Sequence, residues 1–257
     1  MRAIILSAGQ GRRLGALTEN TPKCLLPLGG RALVEWQVQS LAAGGVGDIV
    51  VVTGFGADQV DAELARAVYR GLPDVTIRTL RNPDYAVSDN LVSCWAARAE
   101  MDSDFLIVNG DTLFEPAIVS RLCASGTRPI SVAVVRKAVY DADDMKVSCV
   151  GDEIRHVAKT IPAEEVSAEA IGLSCYRGRG AGLMRETVIA FAGRPDGPRL
   201  WYLSAVNDLA RQGHVGAVFM GELASAEVDY PPDVATAENV ALQRIEPLLF
   251  PKPDTDA

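Results

Sequence analysis

The chain has 257 residues, 48% of them hydrophobic and 23% charged, with a formal net charge of -8. That apolar content supports a sizeable core and argues against disorder, while the acidic balance argues against a surface built for nucleic acid or an anionic membrane, which needs Lys and Arg in excess on one face. Cys24, Cys94, Cys123, Cys149 and Cys175 are odd in number and irregularly spaced with no C-x-x-C pair, so they read as reduced, mostly buried thiols. No segment has the pattern of a secretory signal or a membrane span, and a cytoplasmic location is expected.

In chain order, short apolar runs at 3–6, 48–53, 75–80, 105–108 and 130–135 predict buried strands. Between them, Val34, Val38 and Leu41, and then Val60, Leu64 and Val68, follow a helical stripe. The alternation predicts an α/β fold: a Rossmann-like, mostly parallel sheet with helices on both faces. After residue 136 the pattern changes. "MKVSCV" and "EIRHVA", joined at Gly151-Asp152, predict a small antiparallel hairpin insertion, and "AEAIGLSCY" a further strand. Helices are expected over 179–192 and 201–212, a strand over 215–220, and a final helix after Pro231-Pro232. No repeat or linker divides the chain, so residues 1–247 are expected to form one domain and 248–257 a loose tail.

The stretch "LSAGQGRRLGALTENTPKCLLPL", residues 6–28, carries Arg12, Arg13 and Lys23 against Glu19, a net +2 in an acidic chain. It follows the first strand, and in an open parallel sheet ligands bind beyond the carboxyl ends of strands. It is neither a dinucleotide fingerprint, since Leu14 occupies the last glycine position, nor a Walker A loop, since no Gly-Lys pair is present. The small residues Ser7, Ala8, Gly9 and Gly11 let main-chain N–H groups approach phosphate oxygens, and Arg13 and Lys23 supply cations. The bland alternative is a glycine turn with solvated arginines.

"LSAGQGRRL" followed by "TPKCLLPLGGRALVEW" resembles the N-terminal signature of the sugar-phosphate and alcohol-phosphate nucleotidyltransferases, with Ser7 where Ala is commoner. The resemblance implies a nucleotide-diphospho-sugar transferase-like fold of GT-A type. It also implies nucleotide contacts from Leu6 through Gly9, Gly11, Arg12, Arg13 and Lys23, with Lys23 near the reacting α-phosphate. Asp111, in "NGDT" after a central strand, and Asp229, before a proline-initiated helix, are the expected Mg²⁺ ligands. Mg²⁺ takes one or two carboxylates and fills its shell with phosphate oxygens and water, and in similar enzymes these positions bind it. Otherwise Asp111 is a turn former and Asp229 a helix cap, with Glu227 the nearest substitute.

Three further stretches, "NPDYAVSDNLVSCWAA", "DADDMKVSCVGDEIRHVAKTIPAEEVSAEAIGLSCY" and "LWYLSAVNDLARQGHVGAVFMGELASAEVDYPPDVATAEN", resemble the bacterial phosphocholine and phosphonate cytidylyltransferases. The resemblance implies CTP, or another pyrimidine triphosphate, and a phosphorylated small-molecule acceptor as partners. Asn90 and Ser93 would lie near the pyrimidine or ribose, Lys146 and Lys159 near the acceptor phosphate, and Glu169 and Trp201 near the acceptor. His156 and His214 read as structural. Aromatic faces from Trp95, Tyr140, Trp201 or Tyr202 would suit a choline head group, and Asp141, Asp143 or Asp144 an aminoethyl group. The alternatives are a sugar-1-phosphate uridylyl- or thymidylyltransferase and a non-catalytic nucleotide-binding regulatory module. A homodimer is compatible with the sequence.

Overall fold

The computed structural model describes residues 1–68, 72 and 74–251, residues 67 and 68 by backbone alone. The strands are β1 (Arg2–Ser7), β2 (Pro27–Leu28), β3 (Arg31–Ala32), β4 (Asp48–Thr53), β5 (Thr76–Arg81), β6 (Phe105–Asn109), β7 (Thr112–Phe114), β8 (Ile130–Val135), β9 (Lys146–Val150), β10 (Glu153–Ala158), β11 (Ala168–Tyr176), β12 (Val215–Phe219) and β13 (Ser225–Glu227). The helices are α1 (Leu33–Ala43), α2 (Ala57–Val68), α3 (Asn90–Ala96), α4 (Pro116–Ala124), α5 (Arg179–Ala192), α6 (Tyr202–Arg211), α7 (Pro231–Val240) and α8 (Glu246–Leu249).

Nine strands form one sheet in the order β5-β4-β1-β6-β11-β8-β12-β10-β9. Its strands alternate their side chains between two cores. From β1, Ile4 and Leu6 join a cluster covered by α3, α5 and α6, whereas Ala3 and Ile5 join one covered by α1, α2 and α4. Burial on both faces explains why these strands read as continuous apolar runs. The α2 stripe buries Val60 and Leu64 as expected, while the side chain of Val68 lies outside the described residues.

The first half of the sheet is parallel, β5 through β6. The second half differs from the expected mostly parallel sheet: β11 runs antiparallel to both β6 and β8, and β10 runs antiparallel to β12. The expected antiparallel hairpin, β9–β10, forms one edge of the main sheet. The start of β11 also pairs with β9, Ala168 with Val147 and Glu169 with Lys146, so this half curls back on itself.

A third cluster lies under the 12–28 segment, where Leu14, Leu26, Leu28, Leu33 and Trp36 meet Val228, Ala237, Ala241 and Ile245. Leu249 and Phe250 pack against it, with Phe250 edge-on to Trp36 at 6.3 Å between centroids. The chain is thus anchored beyond the expected boundary at 248. The remainder of the expected loose tail, 252–257, lies outside the described residues. Among the described residues, no helix is long and apolar enough to cross a membrane.

Candidate active site

The carboxyl ends of β1 and β6 face one cleft, as open-sheet geometry requires. The loop after β1 turns at Gly11, whose φ of 77° lies in the left-handed region. A Cβ there would come 2.9 Å from Lys23 Cβ, so glycine is needed both for the turn and for the space under which Lys23 runs. Thr18 Oγ donates to the Gly11 carbonyl at 2.8 Å and holds the turn. After one irregular 3₁₀ segment, Pro22 starts a second short turn that delivers Lys23 into the cleft.

The Lys23 ammonium donates to Asp111 at 2.9 Å and to Asp229 at 2.6 Å. Burial alone would lower its pKa, but the two carboxylates outweigh that and raise it. Asp111 follows β6. Asp229 is 118 positions later in the chain, and it arrives beside Asp111 because β13 pairs antiparallel with β7, Glu227 opposite Thr112, and Val228 N–H donates to the Asp111 carbonyl at 3.0 Å. Arg13 is half-exposed and reaches Asp229 at 3.4 Å, with its guanidinium 5.5 Å from the Tyr230 ring centre.

Asp233 was not singled out in the sequence. Its carboxylate accepts from the N–H groups of Asp229 at 2.9 Å and Tyr230 at 2.7 Å, so it caps α7 and fixes the backbone of Asp229 together. The helix N-cap is Tyr230 rather than Asp229. The available signal was an acid three residues after an N-cap, behind Pro at the first helical position.

Two cavities flank this charge cluster. The first is lined by Leu6, Ser7, Ala8, Gly9 and Gly11, by Lys23 and Asp111, and across from them by Asn90, Ser93 and Trp201. Asn82, Tyr85, Ser88 and Asp89 complete that wall and were missed, because a turn-rich segment between β5 and α3 has no periodicity to mark it. The polar wall is braced: buried Asn82 donates to Ser93 Oγ at 3.1 Å, and Asn90 Oδ1 accepts from Tyr202 N–H at 2.8 Å. Arg12 is exposed and outside this lining.

The second cavity, on the Asp229 side, is lined by Asp141, Asp143, Asp144, Glu169, Glu227 and Asp233, with Lys137 and Tyr230. Lys137, also missed, is held between Asp144 at 2.9 Å and Glu169 at 2.7 Å. Burial raises the Glu169 carboxyl in spite of that partner. Glu227 is open to solvent along the cleft, yet the protein around it, and then Asp111, Asp229 and Glu169, push its carboxyl up to about 8.

Two residues expected near the acceptor, Lys146 and Trp201, do not line the second cavity. Lys146 is buried, and its ammonium donates to the carbonyls of Asp141, Asp144 and Lys159; it ties the 141–145 loop to the end of β10 instead of lining either cavity. Trp201 lines the first cavity, not the second, with the Lys159 ammonium 4.9 Å from its ring centre. Lys159 also pairs with Asp143 at 3.1 Å, and Tyr230 Oη donates to the same Asp143 at 2.8 Å. The other candidate aromatics are occupied: Tyr202 is buried in the core, Trp95 lies under Arg98 at 3.9 Å, and Tyr140 accepts from Lys137 N–H. His156 pairs in register with Ser148 on β9 and His214 precedes β12; neither lines a cavity.

A doubly covered α/β sheet with a small-residue loop over a Lys–Asp–Asp cluster between two polar cavities defines the class of the nucleotidyltransferases. The model of the MobA-like NTP transferase domain matches residues 3–253, and the chain belongs to that family. It is 33% identical over 252 residues to the CMP-5'-(3-aminopropyl)phosphonate synthase of Streptomyces rubellomurinus, covering 93% of this chain and 38% of that protein. It is also 33% identical over 115 residues to the choline-phosphate cytidylyltransferase of Streptococcus pneumoniae, covering 45% of this chain and 47% of that one. The chain therefore spans less than half the length of these relatives in the matched regions. Among solved structures, the CTP:phosphocholine cytidylyltransferase of Streptococcus pneumoniae superposes with a TM-score of 0.75 at 21% identity, covering 93% of this chain and 98% of that one. The inositol-1-phosphate CTP transferase of T. maritima gives 0.76 at 19%, covering 93% and 96%. At these identities the superpositions bear on the fold alone.

Proposed function

We propose that the chain transfers a cytidylyl group from CTP to a small phosphorylated or phosphonate acceptor that carries a primary ammonium group, releasing pyrophosphate. The observation that carries the reading is the Lys23–Asp111–Asp229 cluster at the junction of two cavities, one polar and glycine-lined, the other acidic. The relatives' names supply the cytidylyl group and the phosphonate or choline-phosphate class.

The donor set suits Mg²⁺. Among the described residues there is no cluster of three or more His, Cys, Asp and Glu arranged to hold a metal, but two carboxylates converge on one cation, the Lys23 ammonium. Mg²⁺ needs no more from a protein when phosphate oxygens and water complete its shell. Asp111 and Asp229 would hold it, and when bound it would offset the charge of the two anions brought together.

The chain's own residues do the rest. A phosphate monoester ionises a second time near about pH 6, so the acceptor is already a nucleophile at neutral pH and no general base is required. Lys23 and Arg13 offset negative charge on the α-phosphate and the leaving pyrophosphate, and the loop N–H groups orient the triphosphate. The acidic second cavity favours a cationic head group, and with Tyr230 as the aromatic ring among its lining residues, already faced by Arg13, against the carboxylates that line it, it favours an ammonium that donates hydrogen bonds over a quaternary one.

The test is pyrophosphate release from CTP, and in parallel from UTP, with 3-aminopropylphosphonate, 2-aminoethylphosphonate, phosphocholine and glucose 1-phosphate, with and without Mg²⁺. Release confined to CTP and the aminoalkylphosphonates is expected. Preference for phosphocholine would overturn the head-group reading, release with UTP and the sugar phosphate would overturn the cytidylyl assignment, and silence in every arm would favour a binding module.

A further inference from the structure

Gln37 lies in the middle of α1, on the face that otherwise presents Val34, Val38 and Leu41 to the core, and it is fully buried. Its side-chain amide gives both hydrogens to one target: Nε2 donates to the Asn109 carbonyl at 2.7 Å and to the Thr112 carbonyl at 2.8 Å. Those two carbonyls flank the Gly110-Asp111 turn. The same turn is held from the other side by Gly110 N–H, which donates to the Leu6 carbonyl at 3.1 Å. Oε1 of Gln37 has no hydrogen-bond partner in the protein, a standing cost in a buried amide that an apolar side chain of the same shape would not carry.

We infer that Gln37 is a positioning residue for the reaction: by clamping the carbonyls on either side of Asp111, the α1 amide sets the direction in which the Asp111 carboxylate meets its cation. This rests on the reading of Asp111 as a metal ligand. Nothing in Gln37 touches the cleft; it acts through the backbone of the turn, as partners behind a ligand do when they fix its orientation. The turn's other anchors are the Gly110 N–H on the Leu6 carbonyl, the Val228 N–H on the Asp111 carbonyl at 3.0 Å and Thr112 Oγ1, 3.4 Å from Asp111 Oδ1; Gln37 alone among these holds both flanking carbonyls from the core side.

The experiment titrates Mn²⁺ into the chain with CTP present and acceptor absent, reading the ternary complex by water-proton relaxation, with thermal unfolding measured alongside. In Gln37→Met, which keeps the shape and removes both donors, Mn²⁺ affinity in the ternary complex is expected to fall roughly 10–100-fold. Leu41→Ala is the control, a cavity one turn further along the same helix at a side chain that makes no hydrogen bond to the turn; it should lower the melting temperature at least as much and leave Mn²⁺ affinity unchanged. Unchanged affinity in Gln37→Met, or an equal loss in Leu41→Ala, overturns the inference. If wild-type chain and Asp111→Ala bind Mn²⁺ alike, the metal reading of Asp111 falls and this inference with it, a result distinct from a failure of Gln37 alone. Should Gln37→Met not fold, the wild-type chain decides. Saturating Mg²⁺ and CTP should move the side-chain amide resonances of Gln37 and not those of Gln39, and equal behaviour of the two overturns the role.

Discussion

Gly11→Ala separates the two demands made on the loop turn. Adopting φ 77° with a Cβ costs about 1–2 kcal/mol. The new methyl would also meet Lys23 Cβ at 2.9 Å and Cδ at 3.0 Å, and overpacking of this kind adds about 1–3 kcal/mol unless Lys23 shifts. Gly30, in the two-residue turn between β2 and β3, supplies the control: its φ is 81°, and a Cβ there meets nothing within 4 Å, so Gly30→Ala carries the backbone cost alone. At about 2–4 °C per kcal/mol for a chain of this size, Gly30→Ala should lower the melting temperature by roughly 2–8 °C and Gly11→Ala by about twice that. If Lys23 yields instead, stability is spared and turnover is not, because the ammonium leaves its place between Asp111 and Asp229. Thermal unfolding and CTP-dependent pyrophosphate release, measured on both variants, read the two outcomes. Equal stability and equal turnover in Gly11→Ala and Gly30→Ala would refute the claim that Gly11 makes room for Lys23.

Lys23→Ala and Asp111→Ala should each lower kcat by roughly 10²–10³-fold with the fold retained, checked by steady-state turnover and circular dichroism; near-normal rates would remove these residues from the reaction. Asp233→Ala should lose about 0.5–2 kcal/mol of stability through the α7 cap and, by freeing the Asp229 backbone, raise the Mg²⁺ concentration needed for half-maximal activity. At the amino end of β4, burial disfavours the Asp48 carboxylate, but Arg2 and Arg78 together outweigh this and lower its pKa. Its contribution is therefore complete above the ordinary Asp value near about 3.9 and disappears as pH falls through the lower folded value. Asp48→Asn should accordingly be less stable than wild type in denaturant titrations at pH 7, with the gap narrowing in acid; a gap independent of pH would contradict the sign.

Local chemistry made much of this legible in the sequence. That the glycine loop after β1, Lys23 and Asp111 would stand at the carboxyl ends of the strands could be read because glycines, a proline and charges occupy fixed offsets beside strong apolar runs, and the β9–β10 hairpin because Gly151-Asp152 interrupts two alternating segments. What depends on long-range pairing is not written in any local pattern. The pairing of Asp229 with Asp111 is implied only by the family resemblance, because it follows from the three-residue pair β7–β13, too short for any period. Lys146 looked like a phosphate ligand because a lysine's sequence context does not reveal that three carbonyls of a folded loop surround its ammonium. The antiparallel turn of the second half was hidden for a related reason: a strand buried on both faces reads the same in either direction.

The nine residues of β11 link the two halves of the cleft. Leu173–Tyr176 pair with β6, the strand that leads to Asp111, while Ala168 and Glu169 pair with β9 beside the acidic cavity. The register shift between Ala170 and Ser174 separates these two sets of pairings. The wall of the second cavity formed by the 137–144 loop and the hairpin it leads into is therefore joined through this strand to the side of the sheet that carries Asp111. A change in the register of β11 would be felt at both ends of the cleft at once, so this strand sets the spacing of the two cavities.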